Sequence, residues 1–283
     1  MILVTGGTGS FGHAFVKAHY GEPLRVLSRD EEKQRQMVAE FPKVEYVIGD
    51  VRDRESVHKA MKGVTRVFHA AALKQVPSCE DAPVEALRTN VMGTENVCAE
   101  AAEIGAKVVL LSTDKAVEPV GVMGATKMLA ESVCTNWGFS VVRYGNVIGS
   151  RGSIVPIFRQ MVAEGKPITI TDPAMTRFLI TMRQAMALLD LAMDHLPNAV
   201  YVPKLPAATV EQMARCIAPG HPQQVTGVRP GEKKHELLIA SDEYAVDCGD
   251  YYAVHPRQPG GGWALSSETA RRLSDAELSE LLP

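Results

Sequence analysis

The chain has 283 residues, 46% of them hydrophobic, with 30 Lys+Arg against 33 Asp+Glu and a formal charge of -3. At roughly 150 residues per domain this length gives one or two domains, and the balance lacks the cationic excess with which proteins grip nucleic-acid phosphates. No apolar run approaches the roughly 20 residues that span a bilayer, and Met1 leads straight into Ile2-Leu3-Val4 without a charged leader. The composition therefore predicts a cytoplasmic chain with no nucleic-acid partner and no membrane segment. Cys79, Cys98, Cys134, Cys216 and Cys248 are too widely spaced for a disulfide framework. The eight histidines form no H-x-x-x-H ladder, so no metal is expected.

Short β-branched runs at 2–5, 24–27, 44–48, 64–69, 107–112 and 140–144 alternate with longer helical stretches. Strands of a parallel sheet are covered on both faces, which explains continuous apolar runs in place of alternation. The predicted fold is α/β: a doubly wound Rossmann sheet of right-handed βαβ units over residues 1–148. After Asn146, glycines and prolines punctuate the chain. A helical stretch at 184–195 and a strand at 199–203 would return to the main sheet, completing it over about 175–205. Residues 149–174 and 206–283 would then form a smaller, discontinuous substrate-binding lobe. Ser274 and Glu277 have capping-box spacing, which predicts a terminal helix.

Three motifs carry chemistry. The first is Thr5-Gly6-Gly7-Thr8-Gly9-Ser10-Phe11-Gly12, where a strand enters a glycine loop and then a helix. Glycines at 6, 9 and 12 permit a tight turn, close approach of backbone N–H groups to a pyrophosphate, and tight packing of helix on strand. In the second, strand two ends in Ser28-Arg29, where an acidic residue would address an NAD ribose. A cation there, reinforced by Lys33, suits the 2′-phosphate of NADP; alternatively Ser28 or Asp30 caps the next helix and Arg29 is solvated, which leaves NAD open. Asp50 and Val51, after strand three, are placed to meet the adenine edge.

The third motif runs from Leu111 to Lys127. A strand ends near Ser112, a loop carries Thr113, Asp114 and Lys115, and a helix starting near Met123 presents Lys127. Positions 123 and 127 share one helix face, which would look toward the nicotinamide.

In these motifs, together with His69-Ala70-Ala71-Ala72-Leu73-Lys74, Asn90-Val91-Met92-Gly93-Thr94, Arg143-Tyr144-Gly145-Asn146, Arg151-Gly152-Ser153, Thr176-Arg177-Phe178 and Arg229-Pro230-Gly231-Glu232-Lys233, the chain resembles an extended short-chain dehydrogenase/reductase. Within that group it is similar to the inverting UDP-N-acetylglucosamine 4,6-dehydratases of polysaccharide biosynthesis. The resemblance implies oxidation of the sugar at C4 with NADP, loss of water across C5 and C6, and return of hydride to C6. It makes Lys115 the base for C5 and Asp114 the acid for the departing oxygen, with Thr113 steadying the 4-oxygen. Ala70, Ala71, Ala72, Lys74 and Asn90 would border the cofactor, Asn90 also holding the loop of Lys115. Lys74, Asn146, Arg151, Arg177, Arg229 and Glu232 would address a UDP-sugar. A homodimer or higher homo-oligomer, assembled through helices flanking the catalytic segment, is also implied.

The chain departs from that superfamily's usual pattern at Met123, which stands where a tyrosine passes on the proton during hydride transfer. A thioether cannot titrate. Three alternatives stay open: a nucleotide-sugar 5,6-dehydratase that stops after elimination, an epimerase, and a cofactor-binding scaffold without turnover.

Overall fold

A computed structural model describes residues 1–195 and 197–282. The strands are β1 (Ile2–Thr5), β2 (Leu24–Ser28), β3 (Glu45–Ile48), β4 (Arg66–His69), β5 (Lys107–Thr113), β6 (Ser140–Tyr144), β7 (Asn146–Val147), β8 (Ile168–Ile170), β9 (Thr176–Ile180), β10 (Val200–Pro203), β11 (Ala207–Thr209), β12 (Gln223–Val225), β13 (Leu237–Ile239), β14 (Glu243–Asp247), β15 (Tyr251–Pro259) and β16 (Leu265–Ser266). The α-helices are α1 (Ser10–Ala18), α2 (Glu31–Glu40), α3 (Arg54–Met61), α4 (Val76–Asp81), α5 (Pro83–Leu87), α6 (Gly93–Glu103), α7 (Val122–Asn136), α8 (Ile154–Ala163), α9 (Met182–Asp194), α10 (Val210–Ile217) and α11 (Asp275–Leu281).

The main sheet has nine strands in the order β14-β15-β10-β6-β5-β4-β1-β2-β3. From β3 to β10 every pairing is parallel, as a doubly wound sheet with helical crossovers requires. Its strands are fully apolar at the centre because helices cover both faces. Val4, Val26, Val67, Val142 and Val202 are entirely buried. Each such side chain contributes about 1.5–3 kcal/mol relative to exposure. All six N-terminal strands read from the sequence are present, and β10 joins β6 through Val200–Val141 and Tyr201–Val142 pairs, closing the parallel array.

One boundary is corrected. Residues 206–283, expected to lie wholly in the smaller lobe, include the hairpin β14–β15, which pairs antiparallel with β10 and extends the main sheet. The physical reason is the free edge that β10 would otherwise present to solvent. The remaining lobe is built from short sheets, β11-β9-β7 and β12-β8, whose apolar faces meet α8 and α10 around Phe158, Ile168, Met175, Leu179 and Met213. Helix α11 carries the Ser274–Glu277 capping box that the sequence spacing predicts. Among the described residues no helix is long and apolar enough to cross a membrane.

Candidate active site

The glycine loop has the shape of a dinucleotide cradle. Gly6 has φ +67, and a Cβ there would stand 2.8 Å from the Ala71 backbone, so loop and β4 exit are in direct contact. A Cβ on Gly12 would lie 2.3 Å from Gly7 Cα, which shows how closely α1 is set against the loop. Gly9 is the N-cap of α1 and offers no side-chain cap, so the N–H groups of the first turn point outward as a phosphate would need. Thr8 Oγ1 and Ser28 Oγ are 2.7 Å apart, tying the loop to the end of β2. The residues present fit a dinucleotide cofactor.

Beyond β2, Asp30 is the N-cap of α2, its carboxylate accepting from the Lys33 backbone. Lys33 Nζ also bonds Asp30, so this lysine does not stand as an uncompensated cation. Arg29 is exposed and lies 3.5 Å from Asp50 Oδ2, bridging the ends of β2 and β3. Asp50 also accepts from Arg52, and its carboxyl is lowered by that bond although burial opposes it. The Val51 side chain is buried, under Gly93 of α6.

The Thr113–Lys127 segment comes together at the C-terminal edge of the sheet, where such folds bind ligands. Thr113 ends β5 and caps a short 3₁₀ turn over Asp114–Ala116. Its hydroxyl donates to Asp114 Oδ1 at 2.9 Å, and Lys115 Nζ donates to the same oxygen at 2.9 Å. Asp114 is completely buried, and its Oδ2 has no hydrogen-bond partner among the described residues. Burial pushes this carboxyl up, partly opposed by the Lys115 ammonium. Burial also presses Lys115 toward neutrality, but Asp114 and Glu236 outweigh it and keep the ammonium favoured. Asn146 Oδ1, on β7, lies 3.4 Å from Lys115 Nζ.

Helix α7 closes over this turn. Its N-terminus is capped by Glu80 of α4, which accepts from Val122 N at 2.7 Å. Met123 is buried against Cys79 and Ala86, and one turn later Lys127 donates to Leu111 O. Burial lowers Lys127 to about 8. Met123 and Lys127 therefore share the helix face that the spacing predicts.

The other predicted residues fall into distinct places. Asn90 sits in a π-helical turn over Arg88–Met92, a distortion that recurs at functional sites. It bonds both main-chain groups of Leu73 and the Thr126 hydroxyl. These bonds hold the loop after β4, where Ala70, Ala71 and Ala72 are half-buried; among the described residues Asn90 bonds no residue of the 113–116 turn, so the loop it holds is that of Leu73 and not that of Lys115. Lys74, exposed beyond them, donates to Arg151 O at 2.9 Å. Arg151, expected at the substrate diphosphate, lies over the glycine loop instead, bonding Thr8 O and Ser10 Oγ. There it borders a cleft of about 360 Å³ shared with Thr8, Ser10, His13, Lys33 and Glu40. The Arg177 guanidinium is buried and donates to Thr176 O and Lys234 O. Arg229 is exposed on the loop of Glu232, which accepts from Arg229 N.

Sequence reasoning gave no role to Glu236. Its carboxylate is buried beside Lys115 at 3.4 Å, Lys233 at 3.4 Å and Arg177 at 3.9 Å. In the sequence it stands with His235 directly after the Arg229–Lys233 motif, as an acid in a basic segment.

Residues 2–256 match the family model described as polysaccharide biosynthesis protein. A protein of Rickettsia canadensis named UDP-glucose 4-epimerase is 43% identical over 279 residues, covering 89% of this chain and 82% of its own. The X-ray structure of Pen from Bacillus thuringiensis superposes with a TM-score of 0.94 at 32% identity, covering 99% of this chain and 95% of that one. DesIV of Streptomyces venezuelae, a dTDP-glucose 4,6-dehydratase solved with NAD and TYD, shares the fold at a TM-score of 0.73 and 20% identity, over 82% and 86% of the two chains. The glycine cradle, the parallel sheet and these matches together show that the chain belongs to the polysaccharide biosynthesis protein family.

Proposed function

We propose that the protein is an NADP-dependent nucleotide-sugar dehydratase that removes water across C5 and C6 of UDP-N-acetylglucosamine with inversion at C5. The observation that carries this reading is the Asp114–Lys115 pair, 2.9 Å apart beneath Met123 and Lys127. Bound NADP would take hydride from C4 and return it to C6. A ketone at C4 acidifies the C5 hydrogen and turns the C6 hydroxyl into a β leaving group, so the middle step needs one base and one acid.

Thr113 and Asp114 supply a route for the proton that Met123 cannot accept. The 4-hydroxyl proton passes to the Thr113 hydroxyl, which passes its own to Asp114 along their 2.9 Å bond. Asp114, raised by burial, then holds a proton suited to the C6 oxygen. Lys115 as the free amine takes the C5 hydrogen; the C5–H electrons form the C5–C6 double bond as C6–O breaks, and Asp114 completes the water. Hydride return to C6 would leave an enolate over C4 and C5; a solvent proton taken at C5 on the face opposite Lys115 gives the inverted centre, and Lys115 releases the abstracted proton to solvent. Because Asp114 and Glu236 favour the ammonium, the amine becomes available as pH rises, and turnover is predicted to climb with pH through the alkaline range.

A second reading, C4 epimerisation, is favoured by the curated name of the Rickettsia relative. Epimerisation needs hydride transfer at C4 alone and gives no work to an acid–base pair near C5 and C6. Incubation with UDP-N-acetylglucosamine and mass spectrometry of the products separates the two: loss of one water supports dehydration, and an unchanged mass with a new C4 epimer overturns it. The NADP preference rests on Arg29, and a homodimer is supported by apolar side chains that α5 to α7 expose, among them Leu87, Met92, Met128, Leu129 and Trp137.

A further inference from the structure

The buried carboxylate of Glu236 has no role in the steps above, yet it reaches Lys115 from the smaller lobe. Its main chain is pinned there: Glu236 N donates to Ser267 Oγ at 2.8 Å, and Ser267 N donates back to Glu236 O at 2.8 Å. Ser267, itself fully buried, is in turn 2.6 Å from Thr176 Oγ1 on β9. The side chain is thus delivered to a fixed place. At that place Oε1 is 3.4 Å from Lys115 Nζ, and Oε2 has no hydrogen-bond partner among the described residues although Lys233 Nζ stands 3.4 Å away.

A carboxylate held only by ion pairs in a buried site is costly as mere scaffolding, since replacement by an apolar residue of similar size is often neutral or stabilising. Perturbed charges of this kind gather at functional sites. We propose that Glu236 is a positioning residue for Lys115: from the smaller lobe it holds the lysine beside Asp114 and sets the pH at which the lysine becomes a free amine.

The groups facing Lys115 leave few other candidates for that control. From its own turn comes Asp114, from β9 Arg177, and from the preceding loop Lys233, which acts through Glu236. From β7 and α7 come Asn146, Met123 and Gly124, none of which is charged. Arg177 and Lys233 both share the Glu236 carboxylate, and the carboxylate is held below the ordinary glutamate range because these cations and Lys115 outweigh its burial. It therefore stays ionised across the working range. Removing its charge lowers the affinity of Lys115 for its proton; removing Lys233 leaves more of the charge to Lys115 and raises it.

The inference rests on the assignment of Lys115 as base, so its test reads the lysine directly as well as the reaction. The pH dependence of Lys115 acetylation by a small anhydride, followed by peptide mass spectrometry, gives its titration in the intact protein without reference to turnover. In Glu236→Gln the midpoint is expected to fall by about one pH unit, that is, about tenfold more amine at a fixed pH. In Lys233→Met it is expected to rise, and in Glu236→Asp to return toward the parent value. The alkaline limb of the dehydration rate should move with the midpoint in each variant. A Lys115 midpoint that stays put in both Glu236→Gln and Lys233→Met overturns the proposal. Should Glu236→Gln fail to fold, the opposite shift in Lys233→Met still decides it. A midpoint that moves while the rate profile stays put supports the role of Glu236 and overturns instead the assignment of Lys115 as base.

Discussion

A Cβ placed on Gly124 would stand 2.3 Å from the Lys115 carbonyl oxygen, so the first turn of α7 rests directly on the backbone of the Asp114–Ala116 turn. No L side chain fits without moving one against the other, and Pro119 Cβ closes the remaining side at 3.0 Å. Gly124→Ala is predicted to cost about 1–3 kcal/mol of stability by overpacking and to lower turnover at least tenfold by displacing Lys115, a shift of about 1.4 kcal/mol in barrier. Denaturant titration and initial rates check both. Parent-like turnover would show that the contact does not place the lysine.

Asp114→Asn and Lys115→Ala are expected to stop water loss, each by about 10²–10⁴-fold, the usual weight of a general acid or base. Neither side chain reaches the glycine loop, so cofactor affinity measured by fluorescence titration should stay within a factor of a few. Loss of cofactor binding in both variants would mean that the pair supports the fold of the site, not its chemistry.

Lys127 gives a pH dependence of stability whose sign follows from its burial. Its pKa is lowered to about 8 from 10.5. Below pH 8 folded and unfolded chains both hold the proton, and the full penalty of a buried ammonium is present. Between 8 and 10.5 the unfolded chain binds a proton that the folded chain does not, so stability rises with pH, by about 1.4 kcal/mol per unit. The difference in unfolding free energy between the protein and Lys127→Met should therefore shift in the protein's favour from pH 7.5 to 9.5. A difference independent of pH would contradict it.

Cofactor binding is predicted to depend on two arginines in different ways, Arg29 for choice and Arg151 for the loop itself. Arg29 follows β2 and lies 3.5 Å from Asp50 Oδ2, and Arg151 comes from the segment after β7 to bond Thr8 O at 2.7 Å. Arg29→Ala should weaken NADP about tenfold and leave NAD nearly unchanged, in line with loss of one charge-assisted contact. Arg151→Ala should weaken both, since it removes support from the loop itself. Dissociation constants for the two dinucleotides in both variants provide the check.

Local signals carried the backbone on which the candidate residues sit, and little of what surrounds them. Gly6, Gly9 and Gly12, the Thr113 to Lys115 turn and the Met123–Lys127 helix face follow from spacing, and spacing is what the local backbone preserves. Arg151 and Arg177 were harder, because an arginine's partners are set by tertiary contacts: one reaches across 143 positions to Thr8, and the other bonds Lys234 O across 57. Glu236, though part of a matching segment, had no readable role for the same reason, since its meaning depends on three cations drawn from β9, its own loop and the 3₁₀ turn. The β14–β15 hairpin carries strand-like sequence, but nothing local says which sheet edge it will cover.

The central claim is that Lys115 and Asp114 remove water across C5 and C6. It is tested most directly by NMR of the product formed from UDP-N-acetylglucosamine in D2O. The account predicts a 4-keto-6-deoxy sugar carrying deuterium at C5 with inverted configuration there, and none from Lys115→Ala. A product that keeps its C6 hydroxyl and its original hydrogen at C5 would contradict it.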